Sequence, residues 1–345
     1  MASDQAPAPA RRLRTWSRFG SIRRVPTEYQ VVTHDLNYTM RTGRAAALES
    51  NPTTPANMWF RTYRDGSPLR SLDWNGFQDP DELIYRRYVT MQDEQETVVE
   101  GILDEFGRVD HDAGLPARWV QVLAAVFTTT RYPMHALQMA EAYLGAVAPA
   151  STITNCAAFA AGDLLRRVSL IAYRTSQLRA AHPWAGFAEG ERQVWENHPD
   201  WQPARRVLEL ALVAYDWGEC LTAVNLVLRP TLDEMLLRQL GLVAKTTGDH
   251  LTWLLVGNLA LDTERSARWS AALARYAVEE RAENASVLRH WVDRWAPRAD
   301  EAAEGLANML SRMPEAGCDP AAATTAAREA RERLLAQAGI PGPAE

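Results

Sequence analysis

Cysteine is scarce: Cys156, Cys220 and Cys318 are the three in 345 residues, and no two stand at a C-x-x-C spacing. Neither a zinc site nor a disulfide framework is indicated, so a reducing, cytoplasmic setting is the expectation. Long apolar runs are missing as well. The greasiest stretch, Val207 to Leu228, is interrupted by Asp216, Glu219 and Asn225, which excludes a membrane span of about eighteen residues. The arginines Arg11, Arg12 and Arg14 are followed by Trp16, Ser17, Arg18 and Gly20 instead of the apolar stretch that a signal peptide needs. There is no surplus of basic charge: the formal net charge is -6, which gives no field for a phosphate backbone, and nucleic acid is not an expected partner. No G-x-G-x-x-G or Walker loop occurs, and no Asp-Asp pair of the kind an Mg2+-dependent cyclase would need.

The chain does have the makings of a globular protein, with 47% hydrophobic and 23% charged residues. Residues 1–80 carry Pro52, Pro55, Pro68 and Pro80, each a helix breaker. Tyr29-Gln-Val-Val-Thr has strand composition but no partner strand in view, and it reads as coil. An extended, largely irregular N-terminal arm is therefore expected over 1–80, wrapping a partner. Asp79-Pro80-Asp81-Glu82 then supplies a cap, a first-turn proline and acidic residues, predicting a long helix from Asp81 towards Phe106.

Further helices are predicted from Pro116 to Tyr132-Pro133, from His135 to Val147 and from Ile153 to Arg179. Residues 181–203, rich in Pro, Gly and Trp, read as a loop. The second half predicts helices from Pro203 to Leu228 and from Thr231 to near Gly248, with a stop at Arg229-Pro230 between them. Leu251–Val278, Ala282–Trp295 and Asp300–Arg312 follow, the last two closed by Pro297 and Pro314. The fold class is all-α, a helical bundle over 81–313 with an exposed C-terminal helix and tail in 314–345.

Ordered blocks of residues then carry a family resemblance. Thr15-Trp16-Ser17, Arg23-Arg24-Val25-Pro26-Thr27-Glu28-Tyr29 and Leu36-Asn37-Tyr38-Thr39 resemble the N-terminal arm of the beta subunits of toluene, alkene and isoprene monooxygenase hydroxylases. Trp59-Phe60, Leu72 through Glu82, Tyr88 through Gln95 and Tyr132 through Met139 are similar to that family in order and spacing. The resemblance covers most of residues 15–295. It implies a ferritin-like helical subunit with no cofactor of its own, in a hydroxylase built as a dimer of alpha-beta-gamma protomers. It places the di-iron centre in the alpha subunit, beside a small gamma subunit. A regulatory protein, a Rieske-type ferredoxin and a reductase are the implied transient components.

A di-iron bundle draws its ligands from one Glu on each of two helices and a Glu-x-x-His on each of the others. No E-x-x-H occurs in this chain. The corresponding positions read Asp163-Leu164-Leu165-Arg166 and Glu264-Arg265-Ser266-Ala267, without histidine, and arginine has no lone pair for a metal. No catalytic, cofactor-binding or metal residue is therefore expected. The rival reading is an independent helical di-iron oxidase or another helical enzyme, and it lacks its ligands. Asp249 before His250 reads as a helix cap, and His111 between Asp110 and Asp112 as a solvated loop. The aromatics Trp16, Tyr29, Tyr38, Trp59, Phe60, Trp74 and Phe77 are candidate anchors for a partner subunit, against an even alternative that they pack on this chain's own helices.

Overall fold

The computed structural model describes residues 25–33, 53–312, 318–340 and 342. Among these there is no β-strand. The expected coil at 29–33 is a helix, α1 (Glu28–Thr33), because Thr27 and Gln30 cap each other: each backbone N–H bonds the other's side-chain oxygen, at 3.1 and 3.2 Å. Helix α2 (Pro55–Phe60), capped by Thr54, runs into a π turn at Arg61–Asp65. The next segment is not a free arm, because Leu69 and Phe77 are buried in the core. Asp79 does accept from the N–H groups of Asp81 and Leu83. Glu82, however, has φ 42°, which breaks the run, and α3 starts four residues later than predicted, as Tyr85–Arg108.

Helix α4 (Ala117–Val122) continues through a π turn (Leu123–Phe127) and a 3-10 turn (Thr128–Thr130) into α5 (Arg131–Val147). The predicted stop at Tyr132-Pro133 does not form: the helix reaches Pro133 through irregular π and 3-10 turns and continues past it. Helix α5 then lies along α6 (Ser151–Ala181). The presumed loop at 181–203 contains α7 (Glu191–Asn197), and α8 (Gln202–Ala211) follows it.

From Trp217 to Thr246 the helix is continuous: α9 (Trp217–Leu221), a π stretch (Thr222–Leu228), α10 (Arg229–Asp233), a second π stretch (Glu234–Gln239) and α11 (Leu240–Thr246). The widened turn ahead of Pro230 relieves the clash its ring makes with a regular preceding turn, which is why the predicted break does not form. Helix α12 (His250–Glu280) packs on α11 and α3, and α13 (Glu283–Leu310) on α8 and α14 (Pro320–Gln337). Helix α13 passes through Pro297. The carbonyl that loses its donor there belongs to the exposed Asp293, where water can serve it. The C-terminal helix is docked instead of exposed: Ala323, Ala327, Leu334 and Leu335 are buried, and Arg331 pairs with Asp300 at 2.7 Å.

Tryptophans fill the interior, and two of them find partners for their N–H groups. Trp201 donates to the Ala125 carbonyl and Trp119 to Asp249, both at 2.8 Å. At Gly305 the α13 backbone meets the Asp200 carbonyl so closely that a Cβ has no room. No described helix is long and apolar enough to cross a membrane.

Candidate functional site

Three long helices, α3, α6 and α12, enclose a polar centre. Helix α6 turns Asp163 inward, with Arg166 one turn on, and α12 repeats the spacing with Asp262 and Arg265. The i, i+3 offset places acid and base of each pair on one helix face. The pairs cross. Arg265 on α12 grips Asp163 on α6 through a short bond, and Arg166 on α6 reaches Asp262 on α12 at 2.9 Å. Glu264, taken from the sequence as the first position of the second motif, is exposed and turned to Arg238.

Helix α3 closes the centre with polar groups. Tyr88 donates to Asp163 at 3.0 Å, while the Gln92 amide donates to both aspartates, at 2.9 Å to Asp163 and 3.0 Å to Asp262. Gln95 bridges Asp262 and Arg166, and Arg166 also bonds Glu96 and the Asn258 carbonyl oxygen. Tyr88 reaches Asp163 only because residue 162 is glycine: a Cβ there would lie 2.5 Å from its hydroxyl. Burial, and then the neighbouring Asp262, push Asp163 up to about 7, against the pull of Arg265. Arg265 is itself held more firmly charged, because its two aspartate partners outweigh its burial. The Tyr88 hydroxyl is pushed far up by burial and by Asp163.

A second charged chain adjoins the first, since Arg167 follows Asp163 by four residues on α6. Glu141 on α5 pairs with Arg229 at 3.1 Å, Arg229 stands 3.8 Å from Asp233, and Asp233 bonds Arg167 at 2.6 Å. Burial raises Glu141 against the pull of Arg229, and it lowers Arg167 against the pull of Asp233. The sequence shows Asp163 and Arg166 of the first chain, but nothing in it points to the second. Another buried carboxylate, Asp249, caps α12 through the Thr252 N–H at 2.9 Å, as predicted. It also accepts from Trp119 and meets His111 at 3.2 Å, so His111 belongs to the packed interior and not to a solvated loop. Burial opposes the charge on Asp249, but the bonds from His111, Thr252 and Trp119 prevail and hold it below the usual range.

The candidate anchors separate by burial. Tyr29 is buried, with the Asp79 N–H on its hydroxyl, and Phe77 is buried edge-on to Tyr276, so neither has surface left for a partner. Trp74 packs edge-on against Trp217 at 4.8 Å, and Phe60 lies under the Arg64 guanidinium. Trp59 stays 37% exposed in a surface cluster with Tyr63, Tyr143 and Tyr215. Trp16 and Tyr38 lie outside the described residues.

A helical frame with inward acid and base groups at i, i+3 on facing helices has the form of a carboxylate-bridged metal bundle. Residues 59–281 match the Methane/Phenol/Alkene Hydroxylase family, and the chain belongs to it. It is 40% identical over 299 residues to the hydroxylase component subunit beta of the toluene-4-monooxygenase system from Ectopseudomonas mendocina, covering 87% of this chain and 91% of that one. The hydroxylase component small subunit of propane 2-monooxygenase from Mycolicibacterium goodii is 25% identical over 82% of this chain and 78% of its own length. Among solved structures, one of toluene 4-monooxygenase with toluene bound in its resting active site superposes with TM-score 0.81 at 38% identity, over 89% of this chain and all of that one. Phenol hydroxylase from Pseudomonas sp. OX1 shares the fold, with TM-score 0.79 at 19% identity over the whole of both chains. The fold is thus the ferritin-like bundle of these hydroxylases.

The di-iron group that such a bundle suggests does not fit the residues present. Each aspartate already carries a guanidinium and amide or hydroxyl donors, and the i+3 positions hold cations where a metal needs imidazole lone pairs. Among the described residues no group of three or more His, Cys, Asp or Glu side chains is placed to hold a metal ion.

Proposed function

We propose that this chain is the structural, non-catalytic beta subunit of the hydroxylase component of a soluble multicomponent monooxygenase that hydroxylates or epoxidises aromatic or alkene hydrocarbons. Its work is to hold an alpha subunit that carries the di-iron centre, with a small gamma subunit, in a dimer of alpha-beta-gamma protomers. Ferredoxin, reductase and regulatory protein act on alpha, in the cytoplasm. The observation that carries this reading is the crossed pairing of Asp163 with Arg265 and Asp262 with Arg166. Arg265, buried, and Arg166, partly buried, supply the positive charge that the two aspartates require, and both carboxylates already accept from guanidinium and amide donors.

The surface supports a permanent partner. Trp59, Tyr63, Tyr143 and Tyr215 form an aromatic patch, with Trp59 donating to Tyr143 at 3.0 Å. Aromatic groups of this kind anchor large obligate interfaces, which commonly bury more than about 2,000 Å². The test is expression of the chain alone and with its iron-bearing partner. Alone, it is expected to be poorly soluble or aggregated. Together, the two are expected to elute as one complex at every salt concentration compatible with folding. A well-behaved isolated monomer that ignores the partner overturns the proposal.

A further inference from the structure

Helix α3 is 24 residues long, yet Val99 is its single buried side chain. It packs on α12 and reaches α6 through side chains: Tyr88 stacks on Phe159 and bonds Asp163, and Gln95 and Glu96 hold Arg166. Between α3 and α6 runs an open groove of about 760 Å³. Its floor is apolar, with Val99, Leu103 and Leu170, and its rims carry Val89, 45% exposed, and Tyr173, 54% exposed. One wall is acidic: Asp93, Glu96, Glu100 and Asp104 follow one another along α3 at helical spacing. Arg166 answers Glu96. Asp93, Glu100 and Asp104 have no ion-pair partner among the described residues.

A solvated surface helix needs neither a cleft of that volume nor an apolar floor beneath its carboxylates, and a helix that buries one residue gains little from its own fold. From Asp93 to Asp104 the acidic wall extends roughly 16 Å, about three helical turns. That is the reach of an amphipathic helix laid in a groove, reading apolar anchors at i, i+3, i+4 and i+7. We infer that the α3–α6 groove is a docking surface for a helix of the iron-bearing sister subunit that presents apolar side chains to Val89, Leu103 and Tyr173 and basic side chains to Asp93, Glu100 and Asp104. The inference rests on the scaffold reading above and assigns its contact surface.

The test uses the intact complex, with a photo-crosslinking amino acid replacing Tyr173. Irradiation is expected to join this chain to the iron-bearing subunit. A crosslink to residues 1–24 of this chain, to a second copy of it, or to nothing overturns the assignment of the groove. In parallel, Asp93→Lys, Glu100→Lys and Asp104→Lys together are expected to weaken association with the iron-bearing subunit at least tenfold, most at low salt. Glu301→Lys with Glu304→Lys, on the exposed face of α13, is the control and is expected to leave it unchanged. A triple variant that keeps its helical circular dichroism and binds as tightly as the parent refutes the docking surface while leaving the scaffold reading intact. Failure of the parent chain itself to co-elute with an iron-bearing subunit refutes the scaffold reading.

Discussion

Replacing Arg265 with methionine tests whether arginine charge holds the centre of the bundle together. The guanidinium lies between Asp163, which is 3% exposed, and Asp262. Methionine preserves the aliphatic length and removes the charge, leaving Asp163 with the Tyr88 hydroxyl and the Gln92 amide as its donors. Removing one partner of a buried pair costs about 3–5 kcal/mol. For 345 residues an unfolding entropy of roughly 2.1 cal/mol/K per residue sums to about 0.7 kcal/mol/K, so the loss lowers Tm by about 4–7 °C. Differential scanning calorimetry of the complex reads it. Adding Asp163→Asn removes the stranded charge while keeping an acceptor for Tyr88, so the double variant is expected to recover about 1–3 kcal/mol relative to Arg265→Met alone. Costs that simply add, or a single variant within about 1 °C of the parent, would refute the reasoning.

Asp163 gives the centre a pH dependence of definite sign. Its folded pKa, near 7, lies above its unfolded value of 3.8, so its contribution is complete below the unfolded value, falls away as pH rises from there to about 7, and changes no further above that; Asp163→Asn is expected to flatten the fall of Tm between about pH 4 and 7, and an unchanged slope would contradict the assignment. Asp249→Ala removes an N-cap and strands the Trp119 indole N–H, for an expected cost of about 2–4 kcal/mol in urea unfolding, against the roughly 1 kcal/mol of an ordinary cap. Gly305→Ala puts a methyl group against the Asp200 carbonyl, where backbone must move, and an expected loss of about 1–3 kcal/mol is read from the same unfolding midpoints.

Helix periodicity and proline positions made the bundle legible, but they misplaced its joints. Pro133, Pro230 and Pro297 each looked like a stop. Irregular π and 3-10 turns precede Pro133, a π stretch precedes Pro230, and the carbonyl freed by Pro297 faces solvent. Thr27 and Gln30 form a capping box that composition alone made look like coil or strand. The polar centre was half visible. The missing Glu-x-x-His and the pair Asp163 and Arg166 could be read directly, whereas Asp262 with Arg265 needed the orientation of α12 to choose it over Glu264. Glu141 and Arg229 are 88 residues apart, and nothing local to either announces that they meet. The burial of Tyr29 and Phe77 was equally invisible, since an aromatic in a proline-rich segment serves a partner or its own core with the same composition.

The most direct measurement is the metal content of this subunit, freed of its partners, after growth in iron-replete medium, together with its oxygen consumption in the presence of toluene or a short alkene. The account predicts iron far below one atom per chain and no substrate-dependent uptake of oxygen, with both recovered when the iron-bearing subunit, the gamma subunit and the electron-transfer components are restored. Two irons bound per isolated chain, with hydrocarbon oxidised once electrons are supplied, would contradict it.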